Sequence, residues 1–386
     1  MKRFVFLFLL LTGLWGPGLP ASARAGEFRG AWIASVHNIN FPSGSGLSAD
    51  AQKQQIIRLL DAAKRCRLNA VMVQVRPEGD ALYASRFEPW SRFLTGTQGR
   101  NPGYDPLAFF ISEGKRRGIE VHAWLNPYRA AATASKPRAA NHVSNRFPQF
   151  TYKIGTVLLM DPGAPDVQEH VVNVVRDIVT HYDVAGIHFD DYFYPYPSKG
   201  GHVFSFPDDK TYAMYLARGG SLAKADWRRE NVTSLIRKVS SVVHSARPGA
   251  KFGVSPFGIY QPGLPEGTTA GVDMYNQLYA DPLKWMREGL IDYLSPQLYW
   301  RDSGPQSFSL LLQWWRSQRV NPRGVPIWPG IAVDRLSEKG WPVSEIALQL
   351  KIEKNTSPRG EGGFILWSIQ PLKNGTKGVD AVVAGS

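Results

Sequence analysis

Short apolar runs alternate with longer amphipathic stretches along most of the chain. From Glu27 onward, most runs rich in β-branched and aromatic residues are followed by a stretch whose apolar positions recur every three to four residues. The first pattern predicts buried strands and the second predicts helices. The predicted strands are 28–35, 69–76, 120–126, 184–190, 251–257, 293–299, 325–332 and 363–369, and the predicted helices are 48–66, 105–117, 166–182, 228–246, 281–288, 306–319 and 344–354.

This order of elements predicts an α/β fold with a single (β/α)8 TIM-type barrel. Strands separated by helices favour a parallel sheet, and a parallel sheet of this size closes into a barrel. An open doubly wound sheet is the alternative, but it needs a glycine-rich turn after its first strand, and residues 35–40 contain no glycine. The long connections 77–104, 127–165 and 191–227 all follow strands, so they are expected at the C-terminal face, where barrel active sites are built.

The two ends of the chain have a different character. Lys2 and Arg3 precede an apolar run over 4–15, and small residues follow it over 21–25. We therefore predict a cleaved signal peptide over 1–25, which is too short to span a bilayer, and a barrel domain over 26–370. The Gly- and Lys-containing segment 371–386 is expected to be a loosely ordered tail. Export to the periplasm or the cell surface is expected, with no membrane span after signal removal.

Charge and cysteine content narrow the class of partner. The formal net charge is +13, and removal of Lys2, Arg3 and Arg24 with the signal peptide leaves about +10. A basic exported protein suits an anionic polymer such as bacterial cell wall, and no motif for nucleic-acid recognition accompanies the charge. The single cysteine, Cys66, excludes an internal disulfide and is expected to be a buried thiol.

The most informative motif is the apolar strand that runs into adjacent carboxylates at Asp190 and Asp191. Side chains alternate along a strand, so Ile187 and Phe189 are expected to face the helices. His188 and Asp190 then point toward the barrel axis, and Asp191 begins the following loop.

The same alternation places polar or aromatic side chains on the axis side of other strands. The inward sets are Met72, Gln74 and Arg76 in the second strand, His122, Trp124 and Asn126 in the third, and Ser295, Gln297 and Tyr299 in the sixth. A barrel interior usually holds Val, Ile and Leu, so polar residues that converge on one end of the barrel indicate a site.

Two carboxyl groups and an aromatic rim are typical of glycoside hydrolysis. Asp190 is the first candidate, and Arg76 is expected to hold it ionised, although a purely structural Asp190–Arg76 pair is the alternative. The candidate second carboxyl groups are Asp191, Asp80 and Glu78, with Asp302 behind them. The predicted substrate-binding residues are Arg76, His122, Trp124, Asn126, Tyr128, His188, Tyr192, Gln297, Tyr299, Trp300 and Trp367.

Further aromatic residues, Trp328 among them, are expected on the same face, because aromatic rings suit the apolar faces of sugars. His37, His122 and His188 could gather inside the barrel, but they lack the short spacings of a zinc site. We therefore predict neither a metal nor a cofactor.

Six segments, 28–32, 74–83, 122–129, 186–195, 295–300 and 363–368, together resemble the glycosyl-hydrolase-like family ten. The resemblance spans roughly 27–370 and implies an exported bacterial TIM-type barrel that cuts cell-wall glycan strands stripped of stem peptides during division. It thereby implies cell-wall glycan as substrate and the division machinery as a further partner. Asp190 and Asp191 match the acidic strand end of the family, and Asp80 matches its acidic position after the second strand.

Other functions fit the same barrel. A carbohydrate-binding barrel without turnover would share every aromatic feature. A metal-dependent hydrolase or deacetylase would use the inward His and Asp residues instead.

Overall fold

In the computed structural model, which describes residues 26–198, 200–358 and 362–386, an eight-stranded parallel sheet curls into a barrel. The predicted signal peptide, 1–25, lies outside the described residues. Bridges between Leu294 and Ile327 and between Gln297 and Gly330 join the two edges of the sheet. Its strands, in spatial order, are β10 (Gly330–Ala332), β11 (Gly363–Trp367), β1 (Phe28–Ile33), β2 (Ala70–Arg76), β3 (Glu120–Leu125), β7 (Gly186–Phe189), β8 (Lys251–Val254) and β9 (Tyr293–Leu294).

Helices lie between the strands, as the sequence predicts for a TIM-type barrel, and that fold class is confirmed. Local signals set several helix ends: Ser48 caps the first long helix by accepting from Ala51 N at 3.2 Å, and Gly118 ends another in the left-handed region. Among the described residues the helices are α1 (Ala49–Arg65), α2 (Arg92–Thr95), α3 (Pro106–Arg117), α4 (Val143–Arg146), α5 (Pro165–His181), α6 (Asp209–Ala217), α7 (Lys224–Ala246), α8 (Met274–Gln277), α9 (Pro282–Glu288), α10 (Phe308–Arg316), α11 (Arg335–Glu338), α12 (Val343–Thr356), α13 (Ile369–Asn374) and α14 (Val379–Gly385). Short 3-10 turns add Val36–Asn38, Pro148–Phe150, Gly304–Gln306 and Thr376–Gly378.

Alternation along the strands separates two cores. Val71, Val73 and Val75 of β2 belong to the large core between the sheet and the helices. Met72 instead joins a smaller cluster inside the barrel, whose buried members are Phe28, Trp32, Ala34, Ala70, Met72, Trp124, Tyr293, Trp328 and Ile365. Trp328 therefore fills the barrel interior, where its ring stacks 3.8 Å from that of Phe28, and its expected place on the substrate rim is wrong.

One long loop carries a small sheet that the sequence pattern does not predict. Between β3 and α5, strands β4 (Arg129–Ala131), β5 (Thr151–Ile154) and β6 (Val157–Met160) pair antiparallel in the order β4-β6-β5. These strands are too short for a clear period-two pattern. The sheet is relevant to the site because β4 begins with Arg129.

The expected loose tail after residue 370 is wrong. Residues 369–374 and 379–385 are helical, and Val379 and Val383 are buried. The guanidinium of Arg29 donates to the carbonyl of Val383 and, at 3.1 Å, to the hydroxyl of Ser386. These contacts tie the end of the chain to the first barrel strand, which composition alone does not reveal.

Candidate functional site

A cavity of about 340 Å³ opens at the C-terminal ends of the barrel strands. It lies where the alternation of side chains predicts a site, above the aromatic interior of the barrel. Carboxylate, amide, guanidinium and aromatic side chains line its walls. The lining residues are Trp32, Val36, Ile39, Gln74, Trp124, Arg129, Asp190, Tyr192, Ser255, Gln297, Tyr299, Asp334, Arg335, Glu338 and Trp367.

Asp190 lies at the end of β7. Uncharged donors hold its carboxylate, one on β3 and one on the residue that directly follows β3. Trp124 Nε1 donates to Asp190 Oδ2 at 3.1 Å, and Asn126 Nδ2 lies 3.0 Å from Oδ1 and 3.2 Å from Oδ2. Burial raises the pKa of Asp190 to about 6, against the opposing effects of Arg129, Trp124 and Asn126. The carboxyl group can therefore hold or release a proton near neutral pH.

Asp191 is buried beside Asp190 but does not line the cavity. Its carboxylate accepts a hydrogen bond from the hydroxyl of Tyr196. Burial raises the pKa of Asp191 to about 7; the Tyr196 hydrogen bond opposes this shift, and the charge of Asp190 adds to it. Strand alternation thus separates the two adjacent acids, with Asp190 toward the cavity and Asp191 behind it.

Asp334, which follows β10, is a cavity carboxylate that the sequence analysis misses. Its Oδ1 atom is buried without a hydrogen-bond partner among the described residues. Burial raises its pKa to about 6, and Glu338 adds to this shift. Asp334 lies two residues beyond the end of β10, in a turn where strand alternation no longer applies, so the strand pattern gives no signal for it.

Glu78 and Asp80 lie after β2, and neither lines the cavity around Asp190. Glu78 is ion-paired with Arg92, and its Oε2 accepts from Ala132 N at 2.6 Å. Asp80 Oδ2 accepts from Gln98 Nε2 at 3.0 Å. Burial and the neighbouring Glu78 raise the pKa of Asp80. Both acids are built into the β2 loop, and their catalytic role stays a prediction.

The predicted pair between Arg76 and Asp190 is wrong. Arg76 donates instead to Glu88, from Nη2 to Oε1 at 2.6 Å and from Nε to Oε2 at 2.8 Å, and its Nη1 bonds the carbonyl of Asn126 at 2.5 Å. Burial opposes the ionisation of Glu88, but Arg76 and His170 outweigh it and lower the pKa to about 2. Arg76 thus positions the loop that carries Asn126, and Arg129 is the cation that acts on Asp190.

The two predicted inward histidines lie inside the barrel and do not line the cavity. His188 Nε2 is 3.1 Å from Trp32 Nε1 and 3.0 Å from Ser255 Oγ, and its Nδ1 is 3.0 Å from the hydroxyl of Tyr293. Burial lowers the pKa of His188 well below its usual value, so the ring is neutral. His122 lies deeper, its ring edge-on to Phe28. Within the described ranges, no three His, Cys, Asp or Glu side chains gather as a metal site would require.

Aromatic and amide side chains form the rest of the cavity wall. Trp367 lies 6.1 Å from the rings of both Trp32 and Trp124, while Tyr192 is 42% exposed at the rim. Gln74, which was not among the predicted site residues, also lines the cavity. Its amide nitrogen is buried and has no hydrogen-bond partner among the described residues. Of the predicted binding residues, Trp124, Tyr192, Gln297, Tyr299 and Trp367 line the cavity.

Two predicted binding aromatics and one amide lie elsewhere. Tyr128 is fully buried in the outer core, and Trp300 packs edge-on against Phe257, 5.6 Å away. Asn126 acts on the cavity through Asp190 rather than lining it. The arrangement supplies partly protonated carboxyl groups beside flat aromatic surfaces, which suits acid–base chemistry on a sugar.

Comparisons with known sequences find relatives that are named glycosyl hydrolases. The chain is 41% identical over 342 residues to glycosyl hydrolase YngK of Bacillus subtilis, covering 86% of this chain and 66% of YngK. It is 39% identical over 354 residues to glycosyl hydrolase DigH of Escherichia coli, covering 85% of this chain and 79% of DigH. The chain thus spans about two thirds to four fifths of the length of these relatives.

Solved structures share the fold at low identity. The glycoside hydrolase domain of PgaB (BpsB) from Bordetella bronchiseptica superposes with a TM-score of 0.59 at 13% identity, covering 93% of this chain and 98% of that domain. An alpha-L-fucosidase from Paenibacillus thiaminolyticus gives a TM-score of 0.56 at 12% identity, covering 93% of this chain and 48% of the fucosidase. The barrel is therefore one that glycoside hydrolases use.

The sequence profile of the family described as glycosyl hydrolase-like 10 matches residues 27–342. This range begins just before β1 and includes the β2, β3 and β7 strand ends together with Asp334. The resemblance noted from the motifs is confirmed, and the chain belongs to the glycosyl hydrolase-like 10 family.

Proposed function

We propose that the protein is an exported glycoside hydrolase that cleaves glycosidic bonds in cell-wall glycan, with peptidoglycan strands lacking stem peptides as its substrate. The observation that carries the proposal is Asp190, a buried carboxyl group that faces an aromatic cavity and whose hydrogen bonds from described side chains come from uncharged donors. The glycosyl hydrolases YngK and DigH are relatives over most of this chain. The basic charge favours an anionic wall polymer.

The chemistry requires a proton donor for the leaving oxygen and a carboxylate or an activated water at the anomeric carbon. Asp190 supplies one of these groups. Asp334 lines the same cavity, and Asp191 adjoins Asp190. In this proposal, one of these two carboxyl groups supplies the second of the two required groups. The pKa values of all three are raised toward neutrality, which suits an acid that must be protonated at working pH.

The surrounding side chains have binding roles in this proposal. Trp367, Trp124 and Tyr192 offer flat surfaces to sugar rings, and Gln74 and Gln297 offer amide groups to ring hydroxyls. Action in the periplasm or at the cell surface, alongside the division machinery, completes the proposal.

The test compares the mature protein with Asp190→Asn on purified glycan strands freed of stem peptides, with new reducing ends as the readout. We expect the substitution to lower the rate by about 10²–10⁴-fold, because it removes the acid–base function of the side chain. The matched control is Asp50→Asn on the exposed surface of α1, which should keep the parental rate.

Two results would contradict the proposal. One is equal activity of the parent and Asp190→Asn. The other is binding of glycan by the parent without any product across several wall glycans, which would indicate a carbohydrate-binding barrel instead. Circular dichroism of each variant shows whether a lost rate reflects a lost fold.

A further inference from the structure

A second pocket, of about 500 Å³, opens on the same face of the barrel as the cavity around Asp190. The loops that follow β1, β2 and β3 form its walls, and we call it the cationic pocket. The side chains that define it are His37 and Asn38 from the first loop, Arg92 and Thr97 from the second, and Lys136 and Arg138 from the third. Because all three loops leave the C-terminal ends of barrel strands, the pocket and the cavity share one surface.

The charged side chains that line the cationic pocket are all positive. No described Asp or Glu lines it, while Lys136 and Arg138 are exposed and form no ion pair with any described residue. Arg138 Nη1 donates to the carbonyl of Ala134 at 3.1 Å, which holds the guanidinium near the pocket. Arg92 is already paired with Glu78, so Lys136 and Arg138 supply the unmatched charge. Such a surface favours an anionic ligand, and guanidinium groups bind carboxylates well.

A single turn separates the cationic pocket from the cavity around Asp190. Val36 and Ile39 line the cavity, whereas His37 and Asn38, between them, line the cationic pocket. His37 and Asn38 have φ values of 54° and 55°, in the left-handed region that residues other than glycine rarely adopt.

The surrounding chain holds this turn in its unfavourable conformation. Asn38 Nδ2 donates to the carbonyls of Pro42 and Phe93, both at 2.9 Å, and Asn38 Oδ1 accepts from Ser45 Oγ at 3.1 Å. A strained backbone persists only where its neighbours determine it, and such residues cluster at ligand-binding sites. The turn is therefore a fixed wall shared by the pocket and the cavity, and a polymer that crosses it contacts both.

We propose that the cationic pocket binds a carboxylate-bearing sugar of the same glycan chain whose neighbouring sugar occupies the cavity around Asp190. This inference rests on the proposed function and adds a preference for charge. Muramic acid freed of its stem peptide carries a lactyl carboxylate, whereas an oligosaccharide of N-acetylglucosamine alone carries no charge. The pocket would thus distinguish glycan freed of peptides from a neutral glycan of similar shape.

The experiment uses the mature chain with Asp190→Asn as the parent, so that binding is measured without cleavage. The two probes are a muramic-acid-containing oligosaccharide and the same oligosaccharide with its carboxyl groups reduced to alcohols. Isothermal titration calorimetry is carried out on the parent, on the parent with Lys136→Ala and Arg138→Ala, and on a control. The control carries Lys115→Ala and Lys354→Ala, which remove two exposed charges from the outer helices α3 and α12.

We expect the Lys136→Ala and Arg138→Ala protein to bind the carboxylated probe about tenfold more weakly than the parent, through loss of charge-assisted contacts. Its affinity for the reduced probe should stay within about twofold, and the control should match the parent with both probes. Added salt should narrow the parent's preference for the carboxylated probe, because exposed charges are screened.

Two outcomes overturn the inference while leaving the proposed function intact. The double substitution could leave both affinities unchanged, or it could weaken the two probes equally; either shows that the pocket does not recognise a carboxylate. A parent that binds neither probe would instead overturn the proposed function together with this inference.

Discussion

Two buried acids after β2, Glu78 and Glu88, and the buried acid at the end of β7, Asp190, are surrounded in opposite ways. Near β2, Glu88 is paired with Arg76 and Glu78 with Arg92. At β7, Asp190 receives its direct hydrogen bonds from the indole of Trp124 and the amide of Asn126, and the pKa of its carboxyl group is about 6 rather than the value of about 2 for Glu88.

The difference shows how a barrel separates scaffold acids from chemical ones. A fully paired carboxylate is fixed in its charged form and stabilises a loop, so it cannot exchange a proton near neutral pH. A carboxyl group held by neutral donors at a cavity wall costs folding free energy and gains access to both protonation states. A buried acidic residue after a barrel strand thus has one of two roles. The group that is hydrogen-bonded to its carboxylate, charged or neutral, decides which role it has.

The largest effect on stability is expected from Arg76→Met. The substitution removes the guanidinium from buried Glu88, which keeps its contact with His170 Nε2 at 2.9 Å, and breaking a buried pair in this way costs about 3–5 kcal/mol. Urea denaturation followed by circular dichroism measures the free energy of unfolding. Replacing both partners, as Arg76→Met with Glu88→Leu, should recover most of the loss.

The matched control for this substitution is Arg86→Met. Arg86 is 68% exposed and lies 3.7 Å from Asp177, so its loss should cost less than about 1 kcal/mol. If Arg76→Met were as mild as the control, the β2 end would not be the charged scaffold described above.

Substitution of Asp190 is expected to have a smaller effect on the free energy of unfolding. It depends on pH, and unlike the effect of Arg76→Met it is a gain in stability as the pH rises. Burial raises the folded-state pKa from 3.8 to about 6, so the carboxyl group stabilises the fold most when protonated, and this contribution is lost as the pH rises through about 6. Asp190→Asn removes that loss. Its free energy of unfolding relative to the parent should therefore increase by about 2–3 kcal/mol between pH 4 and pH 7.

Urea titrations of the parent and Asp190→Asn at pH 4, 5.5 and 7 measure this difference. Glu88 behaves oppositely, since its lowered pKa gives stability that is lost only as the pH falls from about 4.5 toward 2. A difference between the two proteins that stays constant across this pH range would show that Asp190 is not held in the environment described here.

The strands were predictable because alternation acts over several residues at once. Val71, Val73 and Val75 mark the outer face of β2, and the inward positions follow from them without knowledge of any contact. The same rule gives His188 and Asp190 their inward positions. It also separates Asp191 from Asp190, so the geometry of the β7 end was contained in the sequence.

The partners of these residues were not predictable. The strand register shifts between Gln74 and Arg76, Arg76 does not line the cavity, and its pairing with Glu88 instead of Asp190 depends on how the loop after β2 folds back 12 residues later. Arg129 reaches the cavity through a small sheet whose strands are too short to show a period. Long-range pairing of charges is thus a property of loop geometry, which local patterns do not encode.

The smallest effect is expected from Asp80→Asn, although the sequence alone ranks Asp80 beside Asp191 as a catalytic candidate. Asp80 does not line the cavity, and its Oδ2 atom is bonded to Gln98 at 3.0 Å. Burial and Glu78 raise its pKa, so a neutral amide resembles the protonated form that the site already favours. We expect kcat/KM to change by less than about threefold, or under about 1 kcal/mol in transition-state stabilisation.

Initial rates of reducing-end release by Asp80→Asn and Asp190→Asn, measured side by side, provide the check. A loss at Asp80 as large as that at Asp190, in a protein that keeps its unfolding free energy, would place essential chemistry at the β2 end. Asp80 would then be an acid with a chemical role outside the cavity around Asp190. A small change confines the chemistry to the cavity, since Asp190 and Asp80 are both buried acids that follow barrel strands and differ chiefly in what their carboxyl groups face.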